Sequence, residues 1–126
     1  MHKVSTSHED YLEAIVMLGG DTDHPIRSTD LAKKLQVSKA SVNKAVGHLE
    51  EQRLVTKPRY GDITLTEDGL KYAQSIYSRH TYLYSFLTKE LGIDPETAEK
   101  EACLMEHAIS DSSFNKWKQY FKKLGL

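Results

Sequence analysis

Apolar residues recur at helical spacing near the start of the chain. Tyr11, Ile15 and Leu18 lie four and three positions apart, which predicts an amphipathic helix over residues 8–19. Gly19-Gly20 ends this pattern, and the polar residues 21–25 predict a loop. The first element is therefore expected to be a helix that buries one face.

Two further helices with a tight turn between them are predicted next. Ser28-Thr29-Asp30 offers N-cap side chains for a short helix, and Val37-Ser38 predicts the turn. Ser38 is expected to cap a helix that continues to about Gln52. This order is typical of a helix-turn-helix, whose second helix enters the major groove of DNA with its N-terminus first.

A β-hairpin is predicted directly after these helices. Residues 54–57 and 62–66 alternate apolar and polar side chains as strands do, and Pro58, Arg59, Tyr60 and Gly61 between them favour a turn. A hairpin in this place is a wing. Residues 1–70 are therefore predicted to form a winged helix-turn-helix DNA-binding domain.

The remaining residues, 71–126, predict a helical domain, so the fold class is expected to be mainly α. The longest helical pattern covers residues 66–90 and begins with the capping run Thr66-Glu67-Asp68-Gly69. A second helix is expected from Asp94-Pro95-Glu96 to about Ser110, and Asp111-Ser112 is expected to cap a third.

The last predicted helix is rich in aromatic residues. Phe114, Trp117, Tyr120 and Phe121 are too many for an exposed tail in a short chain. The helix is expected to pack on the preceding helices or on a second copy of the chain, and a homodimer is the simpler interpretation. A two-fold protein would also suit a palindromic operator.

Composition and charge narrow the possible functions. The chain has 126 residues, a formal net charge of −1 and one cysteine, which excludes an intramolecular disulfide. No apolar stretch approaches the length of a membrane span or signal peptide, so a cytoplasmic location is expected. Residues 27–59 hold eight basic side chains against three acids, a formal charge of +5, while the rest sums to −6. This asymmetry favours double-stranded DNA as a partner.

The candidate DNA contacts lie around the helix-turn-helix and on the wing. They are Arg27, Ser28, Ser38, Lys39, Ala40, Ser41, Asn43, Lys44, Lys57, Arg59 and Tyr60. A single basic residue is more often a solvated surface charge than a DNA contact. The order of the predicted elements, which is that of a winged helix-turn-helix, favours DNA contact instead. Contacts from the wing would reach phosphates or the minor groove and give salt-dependent affinity.

Three different metal-ligand side chains occur together near the end of the chain. Cys103, Glu106 and His107 are spaced i, i+3 and i+4, which places them on one face of a helix. A single cation could contact all three side chains.

Other candidate ligands lie on two earlier helices. Asp10 and Glu13 are spaced i and i+3 on the first helix, and His80 lies on the long helix. Each candidate ligand also has a purely structural explanation. A lone histidine such as His80 is often a core residue, Cys103 could be a small buried apolar residue, and acids are favourable near a helix N-terminus. Only their joint occurrence favours a divalent metal site.

Five segments carry a resemblance to a known family over essentially the whole chain. They are Glu9-Asp10-Tyr11-Leu12-Glu13-Ala14-Ile15, Val37-Ser38-Lys39-Ala40-Ser41-Val42, Ile63-Thr64-Leu65-Thr66, Arg79-His80, and Glu101-Ala102-Cys103 with Glu106-His107-Ala108-Ile109-Ser110. In these segments the chain resembles the diphtheria toxin repressor and manganese transport regulator family of metal-dependent transcriptional repressors. The chain's end at Leu126 suggests a two-domain form without the SH3-like domain of longer members.

The resemblance implies a metal-activated dimer and a ligand set. The implied ligands are Asp10, Glu13, His80, Cys103, Glu106 and His107. It also implies that metal fixes the first helix and the winged domains in an arrangement that binds DNA. The usual ancillary site is altered, since Tyr84 and Glu99 stand at two of its positions, although Glu99 could still join a metal cluster.

The implied ligand set is a hybrid of two branches of the family. Asp10 and Glu13 match the manganese regulators, whereas Cys103 matches the iron regulators. A thiolate shifts preference from Mn²⁺ toward later metals. We therefore expect a divalent transition metal, with Fe²⁺ favoured and Mn²⁺ next, that shifts the population toward the DNA-binding form.

Three alternatives remain from the residues alone. A winged-helix regulator could sense a small organic ligand, with the metal-like residues structural. A metal-dependent hydrolase is disfavoured because the chain has no His-Glu-x-x-His helix, nucleophile elbow or Gly-rich phosphate loop. A purely structural Zn²⁺ site would use more cysteines and histidines.

Overall fold

Helices dominate the computed structural model, which describes residues 4–57 and 62–126. The elements are α1 (Thr6–Met17), β1 (Ile26–Arg27), α2 (Ser28–Leu35), α3 (Lys39–Glu51), β2 (Val55–Thr56), β3 (Asp62–Leu65), α4 (Glu67–Ser85), a π-helical turn (Phe86–Glu90), α5 (Pro95–Glu106) and α6 (Asp111–Lys123). The predicted mainly α class is confirmed. No helix among the described residues is long and apolar enough to span a membrane.

Two units make up the chain, Met1–Ser75 and Ile76–Leu126, with the boundary inside α4. In the first unit, α1, α2 and α3 pack together beside a small antiparallel sheet in which β3 lies between β1 and β2. Ile26 pairs with Ile63, and Val55 pairs with Leu65. The predicted winged helix-turn-helix is confirmed, with β1 added to the hairpin.

Apolar side chains from every helix of the first unit form its core. The most deeply buried are Leu12, Ile15, Leu31, Val42, Val46, Leu49, Ile63 and Ala73. These positions include most of the inward faces that the helical spacing predicts. Their burial fixes α3 against the rest of the unit and leaves its other face in solvent.

Capping explains where α2 and α3 begin. Ser38 is confirmed as the cap of α3, because its Oγ accepts a hydrogen bond from the backbone N of Ser41 at 3.1 Å. The predicted cap of α2 is wrong. Its N-cap is Arg27, which makes no side-chain capping bond, and Asp30 instead accepts from the Arg27 guanidinium at 3.0 and 3.2 Å.

The second unit is a helical cluster around an apolar and aromatic core. Its buried residues are Leu83, Leu87, Ala98, Ala102, Phe114 and Phe121. Phe121 is stacked on Tyr82 with ring centroids 5.8 Å apart. The α6 helix thus packs its Phe114 and Phe121 on the preceding helices, while Trp117 and Tyr120 remain exposed.

The ends of the last two helices differ from the prediction. Helix α5 ends at Glu106 rather than near Ser110, and His107 is its C-cap. Ser110 caps α6, because its Oγ accepts from the backbone N of Ser113 at 3.2 Å, so the predicted Asp111-Ser112 cap is wrong. Asp111 is the first helical residue, where its negative charge suits the helix dipole.

Candidate metal centre and nucleic-acid interface

Solvent-exposed polar residues cluster at the N-terminal end of α3. Those predicted as DNA contacts that lie there are Ser38, Lys39, Ala40, Ser41, Asn43 and Lys44, all exposed. Their exposure follows from the packing of α3, whose opposite face carries Val42, Val46 and Leu49 into the core. An exposed helix N-terminus with small side chains and two lysines can approach DNA closely and offer donors to it.

The other predicted DNA contacts lie in different environments. Lys57 donates from Nζ to the Oδ1 of Asn43 at 3.0 Å, which joins the base of the wing to α3. Arg27 is exposed but paired with Asp30, and Ser28 is buried. Arg59 and Tyr60 lie outside the described residues.

Helix α5 brings its three predicted ligands together. One ligand atom each of Cys103, Glu106 and His107 lies within 4.8 Å of the other two. His107 is the C-cap of α5, but its backbone is still helical, with φ −85° and ψ −17°, so its side chain lies on the same face as those of Cys103 and Glu106. The i, i+3 and i+4 spacing therefore forms the cluster that the sequence predicts.

His80 on α4 lies between two carboxylates of α5. Its Nε2 is 3.0 Å from the Oε2 of Glu99, and its Nδ1 is 3.6 Å from the Oε1 of Glu106, an ion-pair contact longer than a hydrogen bond. Glu106 raises the pKa of His80 to about 9, burial opposes this, and Glu99 adds to the rise. Tyr84 stacks beside the imidazole at 6.4 Å between ring centroids.

The carboxylate of Glu106 is the clearest indication of a bound cation. Its side chain is 0% exposed, and neither oxygen accepts a hydrogen bond from the residues that the structure describes. The Nε2 of His107 lies 3.7 Å from Oε1. A buried carboxylate without donors is costly, and a nearby thiol and imidazoles complete a donor set for a first-row divalent ion. The residues of this unit therefore fit a divalent metal.

Two predicted ligands lie in the first unit, on α1. Glu13 is buried and Asp10 is partly exposed, one turn apart on the helix. Their neighbour Glu9, which the spacing of charged residues did not predict as a site residue, is buried and accepts a hydrogen bond from the hydroxyl of Tyr72 at 2.5 Å. The participation of Asp10 and Glu13 in metal binding stays a prediction.

A winged helix-turn-helix followed by a helical unit with a divalent-metal donor set defines a metal-dependent transcriptional regulator. Residues 3–63 match the family model for the N-terminal DNA-binding domain of iron-dependent repressors. Residues 66–125 match the family model for their metal-binding and dimerisation domain. The chain belongs to the iron-dependent repressor family, whose members are DNA-binding repressors and not enzymes.

Relatives of the chain are regulators by name. An uncharacterized HTH-type transcriptional regulator of Methanocaldococcus jannaschii is 38% identical over 120 residues, 95% of this chain and 96% of that protein. The transcriptional regulator MntR of Escherichia coli O6:H1 is 32% identical over 93% of this chain and 74% of that protein. The family resemblance is confirmed, and the hydrolase hypothesis is wrong.

Solved structures share the fold. The structure of the manganese regulator SloR has a TM-score of 0.78 and 30% identity to this chain. The match covers 91% of this chain and 53% of that one, so the chain spans about half the length of this solved structure.

Proposed function

We propose that this chain is a dimeric repressor that binds palindromic operators when a divalent transition metal is bound, and so controls metal-ion homeostasis. The observation that carries this proposal is the buried Glu106 carboxylate, which lies beside His80 and His107 without accepting a hydrogen bond from the described residues. Membership of the iron-dependent repressor family supports it and does not favour a sensor of organic ligands. A repressor would act in the cytoplasm.

The proposed ligand set draws on both units. His80, Cys103, Glu106 and His107 come from the second unit, with Glu99 less certain, and the resemblance adds Asp10 and Glu13 from the first. A bound cation would supply the positive charge that offsets these carboxylates and favours the form that binds DNA. The coupling between metal and DNA is expected to be about 1–3 kcal/mol.

Exposed side chains at the start of α3 are proposed to contact base edges in the major groove. Lys57, Arg59 and Tyr60 of the wing are proposed to contact phosphates or the minor groove, and Arg27 the adjacent backbone. Base contacts would set operator preference. Phosphate contacts would make affinity fall with salt.

An operator-shift titration at fixed salt tests the function. We expect tight binding with Fe²⁺ or Mn²⁺ and weaker binding with chelator, and Co²⁺ and Zn²⁺ extend the series. Glu106→Gln should abolish the metal response. Glu101→Gln on the same helix is the matched control, since Glu101 is exposed, and it should respond as the unaltered protein does. Equal operator affinity with chelator and with excess metal would overturn the proposal.

Cys103 is proposed to select the metal. The matching family models are those of iron-dependent repressors, and a similar solved structure is that of the manganese regulator SloR, so both Fe²⁺ and Mn²⁺ are candidates. Fe²⁺ is favoured because thiolate is a softer ligand than carboxylate. Cys103→Glu should shift the response toward Mn²⁺. Unchanged operator binding in the two metals would show that Cys103 does not select between them.

A further inference from the structure

We propose that Arg79 is a positioning residue for the metal centre, which holds the end of α5 so that Glu106 and His107 face the metal. The inference rests on the proposed metal function and adds to it a residue that contacts no metal. Arg79 precedes His80 on α4, and its side chain is only 11% exposed.

The guanidinium of Arg79 binds the backbone where α5 ends. Its Nη1 donates to the carbonyl oxygen of Glu106 at 2.9 Å and also to that of Ile109. The last four carbonyl groups of an α-helix lack partners within the helix, so an outside donor must satisfy those that are not in water. A cation at this end also interacts favourably with the helix dipole. Arg79 thus fixes the backbone of the residue that carries the buried carboxylate.

Two further contacts hold the guanidinium itself. Its Nη2 donates to the carboxylate of Asp111, the first residue of α6, and its Cζ lies 5.3 Å from the centroid of the Phe114 ring. Arginine presents several donors in one rigid plane, so a single side chain can bind two carbonyls and a carboxylate together while stacked on a ring. Lysine has one nitrogen and cannot reproduce this arrangement.

Metal geometry makes the position of this helix end important. Glu106 and His107 both lie at the α5 end, with Oε1 and Nε2 3.7 Å apart, whereas His80 lies on α4 with its Nδ1 3.6 Å from the same Oε1. A small shift of the α5 end therefore changes the separation between these two ligands and His80. Outer residues that orient metal ligands typically change metal affinity about 10–100-fold when they are replaced. We expect a loss in that range for Arg79→Ala and a smaller loss for Arg79→Lys.

Metal titrations of the full chain test the proposal without DNA. Co²⁺ is the probe, because the intensity and position of its visible bands report the geometry around it, and Mn²⁺ affinity is measured in parallel by competition. Arg79→Ala should bind Co²⁺ about 10–100-fold more weakly than the unaltered protein, and Arg79→Lys a few-fold more weakly. Both variants should show altered visible bands when they are saturated with Co²⁺. Asp111→Ala is the matched control. It removes the exposed partner of Arg79 but leaves both carbonyl bonds, so its affinity should stay within about threefold.

Three outcomes separate this proposal from a structural role and from failure of the proposed function. If the variants are less stable to urea but bind Co²⁺ with unchanged affinity and bands, Arg79 is only structural and the proposal is wrong. If Arg79→Ala does not fold, Arg79→Lys still decides, because an unchanged affinity and spectrum in that folded variant overturns the proposal. If the unaltered protein binds Co²⁺ but has the same operator affinity with and without metal, the proposed function is wrong. The effect of the Arg79 variants on Co²⁺ affinity can still be measured in that case.

Discussion

Replacing Gly69 by alanine should destabilise the protein although alanine is the better helix former. Gly69 lies in the first turn of α4, where an added Cβ would be 1.8 Å from the carbonyl oxygen of Leu54 and 2.8 Å from its carbonyl carbon. A normal C···O contact is about 3.3 Å or more, so the two backbones must separate by roughly 1.5 Å. Glycine is required here for close approach, since a backbone atom cannot rotate aside as a side chain can.

Hydrogen bonds at this approach set the size of the effect. The Leu54 carbonyl accepts from the backbone N of Thr66 at 3.1 Å, and the Thr66 Oγ1 donates to the carbonyl of Arg53 at 2.7 Å. Overpacking costs about 1–3 kcal/mol, and weakening these two bonds costs about 1 kcal/mol each. The helix propensity of alanine returns about 1 kcal/mol. The free energy of unfolding should therefore fall by about 2–4 kcal/mol.

Equilibrium urea unfolding of the full chain, followed by circular dichroism, measures this change. Gly47→Ala is the matched control, because Gly47 lies inside α3 and an added Cβ there meets no atom within 4 Å. That variant should gain about 0.5–1 kcal/mol. If Gly69→Ala is as stable as the unaltered chain while Gly47→Ala shows its expected gain, the close approach of Leu54 does not require glycine at position 69.

Three further predictions concern a buried hydrogen bond, a helix cap and a proton. Tyr72→Phe removes the donor to the buried Glu9 carboxylate and should lower the free energy of unfolding by about 1.5–3 kcal/mol in urea, and an unchanged midpoint would contradict this. Ser110→Ala removes the cap that binds the Ser113 N–H and should cost about 1 kcal/mol, whereas no loss in thermal unfolding would argue against the cap. Carboxylates raise the pKa of His80 to about 9, so the metal-free imidazole is protonated at pH 7 and must lose its proton to bind metal. Metal affinity should rise with pH up to about 9. Calorimetry in two buffers of different ionisation enthalpy should detect about two released protons, one from the His80 imidazole and one from the Cys103 thiol, and identical heats in the two buffers would refute this proton release.

Long periodic elements were predictable from the sequence because periodicity is a local property. The helices with inward faces at Ile15, Val46 and Leu83 all form, and Ser38 caps α3 as its position predicts. The strand Ile26–Arg27 was not predicted, since two residues are too few to show an alternation. It exists because β3 offers it an unpaired edge, which is a tertiary property.

Caps and close approaches depend on backbone geometry that composition does not reveal. Ser110 and Asp111 are both good capping residues, but only Ser110 has the extended backbone of an N-cap, with φ −68° and ψ 158°. The run that begins at Thr66 caps α4 as predicted, because the Thr66 Oγ1 accepts from the backbone N of Gly69 at 3.0 Å. Gly69 has a second role that the run does not reveal, which is to let the first turn of α4 approach Leu54. A glycine within a helical pattern was the available signal for this packing role.

Part of the metal centre was predictable from local sequence, and part depends on how the helices pack. The cluster of Cys103, Glu106 and His107 follows from helical spacing and was predictable. The distances from His80 to Glu99 and Glu106 depend on how α4 packs on α5, and the role of Arg79 depends on where α5 ends. The pair Arg79-His80 in the resemblance was the only sequence signal that pointed to Arg79.

Burial suggests where metal preference can change without loss of the fold. The Glu106 side chain is 0% exposed, so an altered side chain there must be accommodated by the surrounding residues and would disturb packing as well as metal binding. Cys103 is only partly buried on the same face. Because Cys103 is not fully buried, a larger carboxylate there alters ligand hardness at a smaller cost in packing than a change at Glu106. Cys103→Glu should therefore remain folded with near-normal stability to urea, and a shift in its metal response would then report ligand chemistry rather than unfolding.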